Sequence, residues 1–332
     1  MAGLKKISVI ITLTATLLAL SNCREITTTT RILSDGSCER TVEVSSDPES
    51  SVFPIPGDST WTITRTTEGK DSVDVYAATK KFPAVSALQE EYPMQSNSGV
   101  NVPVTIELRS GFGLFFRYLR YEEIYGRYNP LSHIPIAEYL SEIEIQQYTA
   151  GDDSTEIEER VDEWRAHNLY AEMENALIVG AKQKQLTEIN TETLAQYRDT
   201  LLITVIEEAD STDDLLEIFS EYLGTDQVWE LADTVDQVYK RIETVIERLT
   251  DLALDDFTNR VVMPGLLMDT NAKSLEGNMA LWQFEGGVFE FRDKVMWAES
   301  RLLNWWGIGI VLGALVLLGV LLFIAVRRKR TG

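Results

Sequence analysis

The segment VWELADTVDQVYKRIETVIERLTDLA, residues 228–253, decides how this chain is organised. Its apolar residues fall at 228, 231, 232, 235, 238, 239, 242, 245, 246, 249, 252 and 253. This spacing of three or four residues is the period of a helix with one buried face. On the N-terminal side, no proline occurs from Ile136 to Met263, and the only glycines are at 151, 180 and 224. Eight of the nine prolines lie at or before Pro135. Proline removes a helix hydrogen bond and clashes with the preceding turn, so its absence over such a run argues for helix. Helices are expected over 136–148, 156–184, 191–209 and 213–223 as well. Gly151-Asp152-Asp153-Ser154 and Gly224-Thr225-Asp226 supply the breaks and caps.

The flanks read differently. Residues 25–110 are rich in β-branched side chains, with strands expected at 26–33, 40–44, 60–64, 72–76 and 102–108. Turns are expected at Ser34-Asp35-Gly36-Ser37 and Glu68-Gly69-Lys70-Asp71, and a short helix at 80–92, with Phe82, Val85 and Leu88 on one face. After Pro264-Gly265, strands are expected at 265–270, 278–284 and 288–291, and a short helix at 293–304. Strands distant in sequence often complete one sheet. The expected fold is therefore α+β: an antiparallel β-rich, membrane-proximal domain formed from the N- and C-terminal segments, with a large acidic helical insertion and one transmembrane helix. The corresponding spans are 23–135 and 261–304 for the β-rich ectodomain and 136–260 for the insertion. The alternative is two independent domains.

The chain has 332 residues and a net charge of -22. Two cysteines exclude a disulfide scaffold, and two histidines, His133 and His167, leave little room for a histidine metal site. No cofactor is expected. A strongly acidic surface argues against nucleic acid as a partner. Within 152–256 there are 28 acidic and 8 basic residues. This charge suits a surface that stays soluble near anionic headgroups, adaptation to high salt, diffuse cation binding, or a face for a basic partner.

The two ends speak of a membrane. Residues 1–22 carry Lys5 and Lys6 ahead of an apolar stretch from Ile7 to Leu20, the pattern of a signal peptide. Gly307 to Val326 is uncharged over a length that crosses a hydrocarbon core, and the expected span is 305–326. Trp305-Trp306 stands on one side and Arg327-Arg328-Lys329-Arg330, in the tail 327–332, on the other. The positive-inside rule then places the tail in the cytoplasm and the body outside it, at the plasma (inner) membrane. Gly309-x-x-x-Gly313 is a possible helix-packing face.

Residues 111–135 interleave rings and guanidinium groups. Arg117, Tyr118, Arg120, Tyr121 and Arg127 are the candidate ligand contacts, for an anionic ligand such as a lipid headgroup or glycan phosphate. The alternative is that these rings pack beneath the helices and the arginines pair with acidic residues. Cys38, if free, is read as a small buried apolar residue, with an intermolecular disulfide or a Cys–His nucleophile as alternatives. No Gly-x-Ser-x-Gly, Walker A or His-Glu-x-x-His motif occurs.

Leu20-Ser21-Asn22-Cys23 resembles the lipobox of bacterial lipoproteins, with Asn22 where Gly, Ala or Ser is usual. The resemblance implies diacylation of Cys23 and, with the C-terminal span, a body tethered at both ends to one leaflet. The whole layout resembles LppM-like envelope lipoproteins and other bacterial envelope lipoproteins. The local match is Asp35-Gly36-Ser37 in the early hairpin, then Pro264-Gly265, Asn271-Ala272, Gly277 and Trp282. It implies a lipid-facing envelope role and carries over no site residues. The expected function is a non-enzymatic binding or scaffolding module of the cell envelope, with the bilayer and an envelope protein or lipid as partners. The alternatives are a lipid- or glycolipid-binding envelope biogenesis protein, with a pocket lined by the 112–128 aromatics, and a hydrolase.

Overall fold

The computed structural model describes residues 24–45, 53, 55–68, 73–91, 100–151 and 154–331. The expected signal 1–22, the cysteine at 23 and most of the turn at 68–71 lie outside the described residues. The strands are β1 (Glu25–Ile32), β2 (Cys38–Val44), β3 (Thr62–Glu68), β4 (Val73–Phe82), β5 (Val104–Phe112), β6 (Phe116–Tyr125), β7 (Asp256–Val262), β8 (Leu266–Thr270), β9 (Ser274–Glu276), β10 (Met279–Glu285) and β11 (Lys294–Leu303). The helices are α1 (Val85–Glu91), α2 (Glu142–Tyr148), α3 (Thr155–Lys184), α4 (Thr191–Glu208), α5 (Thr212–Leu223), α6 (Ala232–Ala253), α7 (Val288–Phe291) and α8 (Trp305–Thr331).

The fold is α+β with mostly antiparallel sheets. One sheet has the order β3-β4-β2-β1-β7-β10-β9 and the other β5-β6-β11-β8. Strands from both flanks share each sheet, and residues 136–253 are inserted between them. β1 and β7 pair in parallel, from Glu25 opposite Asp256 to Arg31 opposite Val262. The two sheets face each other across a core of Ile26, Val42, Phe53, Leu119, Tyr121, Phe257, Trp282 and Met296. Alternation along β6 sends Leu119, Tyr121, Glu123 and Tyr125 into that core.

A charged pair crosses the core. The Arg40 guanidinium on β2 binds Glu123 on β6 through both nitrogens, at 2.7 and 3.0 Å, and donates also to Thr30 and Tyr125. Both side chains are fully buried. Burial alone would raise the Glu123 carboxyl, yet the guanidinium and the two tyrosine hydroxyls hold it below its ordinary value.

The helices form a layer of their own. Leu177, Leu194, Leu201, Leu216, Phe219, Val228 and Val235 are its core. The first turns of α3 serve a second cluster, where Ile157, Val161 and Trp164 meet Phe291 of α7. Ser141, Ser154, Asn190 and Ser211 cap α2 to α5. Gly286 lets the layers touch, since a Cβ there would lie 1.9 Å from the Leu252 carbonyl oxygen.

Several expectations are corrected. Residues 293–304 are strand β11, not a helix: Met-Trp-Ala-Glu is acceptable in a helix, but its place between β6 and β8 provides a hydrogen-bonded ladder on both sides. Residues 288–291 are one helical turn. Residues 256–260, assigned to the helical insertion, open strand β7, because the β-branched Thr258, Val261 and Val262 pair with β1 and β10. The stretch 136–148 divides into a 3-10 turn at Ile136–Glu138 and α2, separated by the cap Ser141. The helix expected at 80–92 is confined to Val85–Glu91, because Lys80 to Phe82 continue β4.

The ends of the sandwich are distinct. Tyr125 packs against Phe289 at the level where β1 begins, and Arg117 donates to the Ser34 carbonyl in the β1–β2 turn, 3.1 Å away. The β5–β6 hairpin tip, the β1–β2 turn and the start of α8 therefore share one end. Arg24 and the helical layer lie at the other, separated by the eight residues of β1, about 26 Å of strand.

Candidate functional site

The pleat of β6 divides the sequence candidates between two faces. Tyr121 points inward, fully buried, with its hydroxyl donating to Glu123 at 2.8 Å. Burial raises its pKa well above the ordinary value. Arg120 points outward over the Trp297 ring, bound to Glu299 at 2.6 Å and Glu122 at 3.3 Å. Tyr118 is half-exposed on that same outer face, and Arg117 lies over Phe112 at 5.4 Å. Arg127 is exposed beyond the end of β6, where its N–H donates to Asp293 at 2.8 Å. The five do not converge. Tyr118 and Arg120 line a groove of about 570 Å³ on the outer face of the smaller sheet, with Arg109, Asp269 and Glu299. Its cations already have carboxylate partners, Arg109 with Glu107 and Arg120 with Glu299.

Of the 112–128 aromatics, Tyr118 lines this groove on the smaller sheet, and a second cavity, with mainly aliphatic walls, lies in the helical layer. It has a volume of about 540 Å³. Leu169 and Met173 of α3, Leu202, Val205 and Ile206 of α4, Leu215 of α5, and Ile242, Ile246 and Leu249 of α6 form its walls. The size and the apolar walls suit a small-molecule site.

Polar groups stand at one rim. Arg165 holds Glu290 through two hydrogen bonds, 2.7 and 3.0 Å. Burial opposes the Arg165 charge, but the carboxylate of Glu290 outweighs it and raises the pKa. Burial raises Asp162, its other neighbour. Tyr170 also lines the cavity, and its hydroxyl is buried without a hydrogen-bond partner among the described residues. The sequence does not mark this site, because its walls have the composition of ordinary helix core.

Arg24 lies beside this cavity. It binds Asp255 at 2.6 Å and the Asp251 carbonyl at 3.2 Å, on the turn that also carries the lining residues Ala253 and Leu254. Burial pushes the Asp255 carboxyl up to about 6, against the pull of Arg24.

Other candidate chemistry is dispersed. Cys38 is buried on β2, and burial pushes its thiol up to about 11. His133 contacts Glu172, and His167 contacts the Tyr139 hydroxyl, both in the helical layer and away from Cys38. Among the described residues, no group of three His, Cys, Asp or Glu side chains could hold a metal ion. α8 is long and apolar enough, over Trp305–Ile324, to cross a membrane. A Cβ at Gly309 or Gly313 would meet nothing within 4 Å.

No family model matches the chain, and no curated protein matches it. Among solved structures, it is similar to the folded domain of LppM from Mycobacterium tuberculosis, determined by NMR. The identity is 9%, the TM-score is 0.32, and the match covers 85% of this chain and 92% of that one. Neither fold nor activity is carried across at that level of agreement.

Proposed function

We propose that this chain is a membrane-tethered, extracytoplasmic binding protein whose helical layer holds the apolar part of an amphiphilic ligand of the lipid class. The observation that supports this reading is the aliphatic cavity of about 540 Å³, with the Arg165–Glu290 pair among its lining residues. Burial of an acyl chain there would gain about 0.8 kcal/mol per methylene. α8 supplies the tether, and the acidic helical surface keeps the layer solvated above an anionic bilayer. The role requires no catalytic step.

Native mass spectrometry of the full chain, extracted in detergent and offered a total envelope lipid extract, tests the reading. The expected result is a bound species of defined mass that Ile246→Trp, which projects into the cavity from a partly exposed position, abolishes. A chain that stays empty under every lipid offered, or one whose lipid is retained by Ile246→Trp, contradicts it.

A further inference from the structure

The end of the sandwich opposite the cavity carries a feature that ligand binding leaves unexplained. The β5–β6 hairpin presents Phe112, Leu114 and Phe115 to solvent, with Phe112 77% exposed. Leu266, Leu303, Trp305 and Trp306 are exposed beside them. Clusters of large apolar side chains on a protein surface mark a contact with another molecule or with a membrane.

Three observations choose the membrane. The first is the absence of a stalk: β11 ends at Leu303 and α8 begins at Trp305, with Asn304 alone between them. The second is that Asn304 binds the hairpin tip to the helix. Its N–H donates to the Phe115 carbonyl and its side-chain amide to the Gly113 carbonyl, each at 2.9 Å, while its side-chain oxygen accepts from the Gly307 N–H at 3.2 Å. The third is Gly307 itself. A Cβ there would lie 1.7 Å from the Leu114 carbonyl oxygen, so tip and helix touch backbone to backbone. The tip therefore sits at the level where α8 leaves the body. Tryptophans at that level are typical of the headgroup layer. Cations accompany them: Arg117 lies over Phe112, and Arg301 over Phe116 at 4.9 Å.

We propose that the hairpin tip 112–116 is a second membrane-contacting element, seated in the headgroup layer of the leaflet that α8 enters, with Arg117 and Arg301 facing lipid phosphates. The apolar side chains gain by leaving water, and the guanidinium groups remain at the polar boundary. The sandwich then stands upright, and Arg24 lies about 26 Å of strand above the leaflet. This rests on the reading of α8 as a membrane span, not on the reading of the cavity.

The full chain, with Cys23→Ser and Cys38→Ala, is labelled with an environment-sensitive dye at single cysteines and reconstituted in vesicles of phosphatidylcholine and phosphatidylglycerol that carry nitroxide-labelled lipids. A dye at Leu114→Cys is expected to lose as much emission as one at Trp305→Cys, while one at Asp210→Cys is unchanged. Arg301→Gln should lessen the loss at 114, and Arg301→Lys should restore it. Quenching at Leu315→Cys without quenching at 114 overturns the proposal and leaves the span intact. No quenching at 315 overturns the span and the proposal together.

Discussion

The two ends of the sandwich are built from opposite materials. One end displays uncovered rings and arginines around Asn304, with a single residue separating strand from apolar helix. The other is capped by acidic helices that line an aliphatic cavity and hold Arg24 against Asp255. The difference assigns a job to each end. The exposed apolar side chains at the first end gather around the start of α8, whereas those of the helical layer, such as Ile143, Val179 and Ile203, stand on separate helices. Between them the Arg40–Glu123 pair fixes the two sheets face to face.

Breaking the middle should have the largest effect. Glu123→Ala removes the carboxylate from a fully buried guanidinium, and the expected loss is about 3–5 kcal/mol in chemical denaturation. The distal end has a pH signature. Asp255, held at about 6, keeps a proton that the unfolded chain releases near 3.8. The native state thus binds more protons between those values, so its stability should fall as pH rises from about 4 to about 6 and level off above. The change is at most about 3 kcal/mol. Asp255→Asn should flatten that part of a melting-temperature profile, and a profile that keeps its slope argues against the assignment.

The proximal end is next in size. Gly307→Ala places a methyl group where the Leu114 carbonyl stands, and it should separate tip from helix at about 1–3 kcal/mol. Its readout is reduced protection of the Phe115–Asn304 hydrogen bond in amide exchange. The smallest effect is expected at the cavity. Ile246→Trp fills open space and should shift stability by less than about 1 kcal/mol while abolishing ligand uptake, which separates binding from folding.

Much of the fold was legible in particular residues. Proline-free 136–253 gave the helices, because periodic apolar faces and caps such as Ser154 and Asn190 act locally. The β flanks were legible from their β-branched runs. β11 was not: Lys294–Leu303 has residues that suit either state, and its ladder partners, β6 and β8, are remote in sequence. β7 was masked for a similar reason, since Asp256 follows a helix with no proline or glycine to mark the change. At the site level, the arginines and tyrosines of 117–127 looked like one cluster in the sequence. A strand's period of two put Tyr121 inside and Arg120 outside. The cavity stayed hidden because a helix wall and a helix core have the same composition.

The geometry also bears on the expectation that both chain ends meet one leaflet. Arg24, one residue after Cys23, lies at the distal end of β1, so an upright body holds that point well above the surface that α8 enters. Energy transfer from dyes at Leu114→Cys and at Asp210→Cys to acceptors in the headgroup plane of reconstituted vesicles tests this posture directly. The upright arrangement predicts strong transfer from 114 and a height difference from 210 of at least the length of β1, about 26 Å. Equal heights would mean that the sandwich lies on its side, and would contradict the division of labour between its ends.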